Sequence, residues 1–211
     1  MKNKILIISL TIILTSLIWL SSFSEIRAEN QSEIDKAINY LNLQSSDTWI
    51  TMALTANGGT GLDLSHLKEV SGDSATNYEN NILALTAVGE NPKTFGNIDF
   101  VVKLKSFYQN NQIGSVDYLN DDFWGILALV SAGENPSSQI IQDSKNFILA
   151  NQNPDGGWSY AISGLGVVSD TDDTAAAIMA LLETGISPND QVITKAVDYL
   201  KSNQNSDGGF P

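Results

Sequence analysis

From Ser32 onward, apolar residues recur at helical intervals and rarely alternate with polar ones. Phe123, Ile126, Leu127 and Val130 stand at i, i+3, i+4 and i+7, the spacing that gathers side chains on one buried helix face. Ile140, Ile141, Phe147 and Ile148 predict a second helix, and Ile193, Ala196, Val197 and Leu200 predict another further on. Between the first two, Gly133 suits a left-handed helix end and Pro136 suits the first turn of the helix that follows. No run of alternating residues demands a strand. The expected class is therefore all-α.

The pattern is itself repeated. "NILALTAVGENP" (81–92) returns as "GILALVSAGENP" (125–136) and, more loosely, as "AIMALLETGISP" (177–188) and "ITMALTANGG" (50–59). Aligned on Gly58, Gly89, Gly133 and Gly185, the units are spaced by 31, 44 and 52 residues, which reads as an array of helical hairpins with variable loops. Four hairpins and one more helix, Asn189 to Ser202, fit the chain. A second repeated element, "FILANQNPDGGW" (147–158) and "YLKSNQNSDGGF" (199–210), sets Gln152 and Gln204 52 residues apart. In it two glycines permit a turn with positive φ, the glutamine amide can bond orphan backbone groups at helix ends, and the closing aromatic can cover the turn.

The first residues follow another logic. Lys2 and Lys4 precede an uncharged apolar run from Ile5 to Leu20, with the small residues Ser24 and Ala28 after it. That is the layout of a secretory signal peptide over residues 1–28, the other reading being an uncleaved N-terminal anchor. Residues 29–211 then form the repeat domain, placed outside the cytoplasm, secreted or at the cell surface. The chain has no cysteine, so neither a disulfide nor a Cys-ligated metal contributes, which in an exported chain fits a bacterial source. A formal charge of −13, more negative still without Lys2, Lys4 and Arg27, opposes binding to nucleic acid or anionic lipid. Contact with a membrane is expected only through the N-terminal segment, if that segment stays uncleaved.

On these residues the chain resembles the prenyltransferase and squalene oxidase repeat family. Gln152, Gly156, Gly157 and Trp158, and again Gln204, Gly208, Gly209 and Phe210, look like its QW motif. "DTDDTA" (170–175) looks like the DxDD motif of squalene-hopene and related class II terpene cyclases. The resemblance implies an α/α toroid, a ring of helical hairpins in an inner and an outer layer. The ring is expected to be partial, incomplete on the C-terminal side, because the predicted hairpins are too few to close it. Members that use a zinc site with Cys and His, or a thioester with Cys, are set aside by the missing cysteine and the single histidine, His66, which is expected as an exposed helical residue. No cofactor and no metal are expected; carboxylates together with the oxygens of "NPDGG" could attract calcium, but no loop has a recognised calcium spacing.

The central question is what Asp170, Asp172 and Asp173 do. The resemblance implies that in a cyclase Asp172 protonates an alkene or epoxide, with Asp170 and Asp173 keeping it protonated, in a dry cavity for which Trp49, Tyr78, Phe123 and Trp124 are the available lining. The competing reading is helix capping. On the glycine alignment Asp47 and Asp122 are equivalent, and so are Asp121 and Asp173, so acidic helix starts are a property of the repeat. Ala175, Ala176, Ala177 and Ala180 serve close packing or leave room for a ligand. The favoured reading is an exported, non-catalytic module that binds a partner or a bulky or hydrophobic small molecule, corrinoid-like or isoprenoid. The alternative is a terpene cyclase-like isomerase with Asp172 as general acid.

Overall fold

The computed structural model describes residues 31–70, 72–164 and 167–211. The chain comprises two units, residues 1–45 and 46–211. In the first, residues 31–41 are helical (α1), and residues 1–28, where a signal peptide is expected, lie outside the described residues. No described helix is long and apolar enough to cross a membrane. The second unit contains α2 (Thr48–Ala56), α3 (Ala75–Ala87), α4 (Phe100–Lys105), α5 (Asn120–Ser131), α6 (Gln139–Ala150), α7 (Thr171–Glu183) and α8 (Gln191–Asn203).

These helices of the second unit form two layers. α2, α3, α5 and α7 pack in succession, and α4, α6 and α8 each pack on the helix that precedes them. The inner helices run parallel. The Thr76 hydroxyl at the start of α3 donates to Asp121 Oδ1 at the start of α5 (3.0 Å), and Thr86 near the end of α3 meets Ser131 at the end of α5 (3.3 Å). This is the all-α hairpin arrangement expected of the α/α toroid class.

The inner helices share one ending. In α5 the N–H of Gly133, at φ 81°, donates to Val130 O (2.9 Å), and the N–H of Glu134 reaches back to Leu129 O (3.0 Å). The same pair of bonds closes α2 on Leu54, α3 on Leu85 and α7 on Leu181. Such a pair satisfies carbonyls that the helix leaves without partners, and it requires a left-handed residue. The leucines whose carbonyls it uses are buried, with Leu85, Leu129 and Leu181 fully so. Each is worth about 1.5–3 kcal/mol of apolar burial. The repeat alignment on the glycines therefore coincides with a physical register.

Four expectations change. The loop between α2 and α3 holds only the short 3₁₀ helix Ser65–Lys68, so α2 has no outer helix after it. His66 lies in that 3₁₀ turn, half-buried, with Nε2 3.0 Å from the Thr51 hydroxyl. Pro136 is not in the first turn of α6; the Ser138 N–H bonds Asn135 O, a turn that delays the helix to Gln139. A small antiparallel hairpin, Tyr108–Gln109 with Gln112–Ile113, turns through Asn110 and Asn111, both at positive φ. With two residues per strand it leaves no alternation to detect; the Asn pair is its sequence signal.

Gly133→Ala isolates the backbone requirement, because a Cβ there meets nothing within 4 Å. We expect a loss of ~1–2 kcal/mol and a fall in Tm of several degrees with an unchanged helical circular dichroism spectrum, measured by thermal unfolding.

Candidate functional site

The first QW turn is a clasp between layers. The Gln152 amide donates to Gly156 O (2.8 Å) within the turn and to Val192 O (2.9 Å) in α8. Trp158 is fully buried; its indole N–H bonds Ile148 O (2.8 Å) and its backbone N–H bonds the Thr174 hydroxyl of α7 (3.0 Å). Both glycines are required. Gly156 has φ 93° and a Cβ there would lie 2.6 Å from Lys195 O, while one on Gly157 would meet Ser169 and Thr174 within 3 Å. Asp155 Oδ1 is spent on the Gly157 N–H and the Ser169 hydroxyl. The second turn repeats the internal bond, Gln204 to Gly208 O at 2.9 Å, but Gln204 is exposed and Phe210 is 46% exposed.

The acidic segment divides into three roles. Asp170 is the N-cap of α7, with Oδ1 accepting the Asp173 N–H at 2.7 Å. Asp172 lies on the solvent side of the first turn, exposed. Asp173 is half-buried, and burial first, then the carboxylates of Asp170 and Asp172, pushes its carboxyl up to about 8. Ala176, Ala177 and Ala180 are buried on α7, which packs on α5, so these small residues serve helix contact.

A second acid group, absent from the sequence reading as a site, lies between α3 and α5. Glu79 is fully buried with neither carboxyl oxygen hydrogen-bonded, and burial, then Asp121 and Asp122, raises its carboxyl well above the usual range. Asp122 is also fully buried. Its Oδ1 accepts the Ile113 N–H (3.0 Å), and Oδ2, like the buried Ser144 hydroxyl, has no hydrogen bond of good geometry. Burial pushes it up to about 7, against the lowering influence of Ser144 and the Ile113 amide and with a further push from Asp121. Asp121 holds the same loop through Ser115 N–H (2.9 Å).

Neither Asp121 nor Asp122 caps a helix start, contrary to the alignment; both turn inward to anchor the small hairpin and the loop after it. Asp47 does cap α2, accepting the Ile50 N–H at 2.8 Å. The missed signal was an acid on an apolar face: Glu79 shares its face with Ala75 and Ile82, and Asp122 shares its face with Ile126 and Leu129.

The proposed aromatic lining does not converge on one cavity. Trp49 is 51% exposed and its ring meets that of Trp124 edge-on at 5.5 Å. Phe123 is fully buried in the core, and half-buried Tyr78 packs against Phe107 at 5.6 Å.

Parallel inner helices with outer helices packed on them, and an acidic start to α7, are the arrangement on the page. Residues 126–211 match the family model of the squalene-hopene cyclase C-terminal domain. No curated protein matches the chain.

Two measurements follow. In urea unfolding, Gln152→Ala is expected to lose ~1–2 kcal/mol and Gln204→Ala less than ~0.5 kcal/mol, since only the first bridges to another helix. For pH, Glu79, Asp122 and Asp173 bind their protons more tightly folded than unfolded. Their contribution is complete below the unfolded carboxylate range of roughly 4 and is lost as pH rises through about 7 for Asp122 and about 8 for Asp173. Tm should therefore fall between pH 4 and 8, and Glu79→Gln should flatten that fall.

Proposed function

We propose that the chain is an exported, non-catalytic module of the squalene-hopene cyclase repeat type that binds a bulky hydrophobic small molecule, isoprenoid or corrinoid-like, across its inner helices. The single observation that supports a non-catalytic role is the exposure of Asp172. A carboxylic acid that initiates carbocation chemistry has to be desolvated, and Asp172 is open to solvent. Support for the ligand class comes from a row of residues at one register of the inner helices, Met52, Leu83, Leu127 and Met179. The first three are half-buried and Met179 is 46% exposed. Apolar side chains left open at equivalent positions of successive helices suit an apolar ligand laid across them. Export rests on the signal-peptide layout of residues 1–28.

A second reading, a class II cyclase-like enzyme, is favoured by Asp173, the member of the acidic segment that is half-buried and held protonated to about 8. It moves the general acid one residue along from Asp172.

The test is incubation of the full chain with squalene in detergent, with product analysis by gas chromatography and mass spectrometry, alongside titration of tryptophan fluorescence by squalene and by hydroxocobalamin. The expected outcome is unreacted squalene and a saturable fluorescence change with one of the two ligands. A cyclic product that disappears in Asp173→Asn or Asp172→Asn would replace this reading with the cyclase.

A further inference from the structure

The loops that lead into α5 and α7 lie side by side and turn apolar side chains outward. Residues 117–119 pair with residues 160–162: the Leu119 N–H donates to Tyr160 O (2.7 Å) and the Ile162 N–H to Asp117 O (3.0 Å). On the other side of this strip the Asp170 N–H donates to Trp158 O (3.0 Å), and the antiparallel sense of that bridge runs Val168 toward Tyr160.

The strips sort their side chains by face. Leu119, Trp158, Ser159 and Ala161 are buried beneath, while Val116, Tyr118, Tyr160 and Val168 are exposed, Val168 by 77%. The rings of Tyr118 and Tyr160 meet at 6.0 Å, tilted by 45°. The backbone that carries them is held from below. Trp158 is tied to Ile148 and Thr174, and the Ser159 hydroxyl bonds Ala161 O (2.8 Å). A paired tyrosine platform with valines on a fixed backbone costs little further ordering when it is covered, and exposed tyrosines of this kind are what protein interfaces concentrate.

Charge selects the partner. Asp117 stands between Val116 and Tyr118, and Asp170 and Asp172 follow Val168 within four residues. Between Lys105 and Lys195 the chain has one basic residue, Lys145, which lies on the outer helix α6. From α8, Tyr199 reaches these loops through its hydroxyl on Ser169 O (2.6 Å), and Lys195 lies against Gly156 in the turn before Trp158. A second copy of this face would set aspartates against aspartates, so like charge opposes self-pairing. A lysine or arginine segment gains on both counts: its head meets the carboxylates or a tyrosine face, and its aliphatic stem lies on the valines.

We propose that Val116, Tyr118, Tyr160 and Val168 form a docking face for a basic protein segment in which lysine or arginine is mixed with apolar residues. The face is built from loop residues and shares none with the apolar row of the inner helices, so either stands without the other.

The experiment titrates the full chain with three labelled peptides of equal length, one of Lys and Leu, one of Glu and Leu and one of Lys and Ser, followed by fluorescence anisotropy. Saturable binding of the Lys and Leu peptide alone is expected, weakening as salt is raised. It should weaken about tenfold or more in both Tyr118→Ser and Tyr160→Ser, each with an unchanged circular dichroism spectrum. Met179→Ser, in the apolar row of α7, should bind as the parent does. Equal binding of the Glu and Leu peptide would mean apolar adsorption only, and equal binding of the Lys and Ser peptide would mean charge alone. Either result overturns the proposal. So would the absence of binding, binding that survives both tyrosine substitutions, or a dimer in sedimentation that Tyr160→Ser dissolves, which would make the occupant a second copy.

Discussion

Each inner helix ends on a glycine held in the left-handed region, with the next N–H returned to a leucine carbonyl five residues back. That geometry stops the helix at a fixed point relative to a buried leucine, so α2, α3, α5 and α7 share one register although the loops between them differ in length. Parallel helices in one register bring their N-terminal ends to a common side. Thr76 thereby meets Asp121, Trp49 meets Trp124, and the loops before α5 and α7 fold over equivalent positions.

Those equivalent positions are filled by different chemistry. Before α7 the returning residue is Trp158, whose N–H bonds the hydroxyl of Thr174; before α5 it is Ile113, whose N–H bonds the carboxyl of Asp122. Substituting a carboxyl for a hydroxyl at the same point of the repeat places an acid where only a neutral group is cheaply buried. Glu79 compounds this, and two buried like charges cannot both ionise at low cost. Burial raises both carboxyls, Glu79 well above the usual range and Asp122 to about 7, an arrangement that ties the packing of α3 on α5 to pH.

The two QW turns separate what a motif does locally from what it does in context. Both form the same internal bond from glutamine to glycine carbonyl. In the first, the packing of α7 and α8 converts that turn into a bridge and seals Trp158 from water. In the second, Gln204 and Phe210 remain open to solvent. Stabilisation therefore comes from the neighbouring hairpin, with the sequence motif supplying a surface shaped to receive it.

The helices, their glycine ends and their repetition were legible in the chain because each depends on residues within a few positions: apolar spacing, a left-handed stop, a cap such as Asp47 or Asp170. The resemblance that the family model matches over residues 126–211 was legible for the same reason, from two short motifs. The roles of the acids were not. Asp170, Asp172 and Asp173 look alike in sequence, yet one caps, one faces water and one is half-buried, because successive side chains on a helix point about 100° apart and only the packed neighbours determine which direction is inside. Glu79 and Asp122 lie forty-three residues apart and become a pair only when α3 packs on α5, and His66 meets Thr51 only when a loop too irregular to carry a period folds back on α2. Local backbone chemistry determined the elements; the direction and burial of each polar group, and with them the chemistry, were decided by tertiary contact.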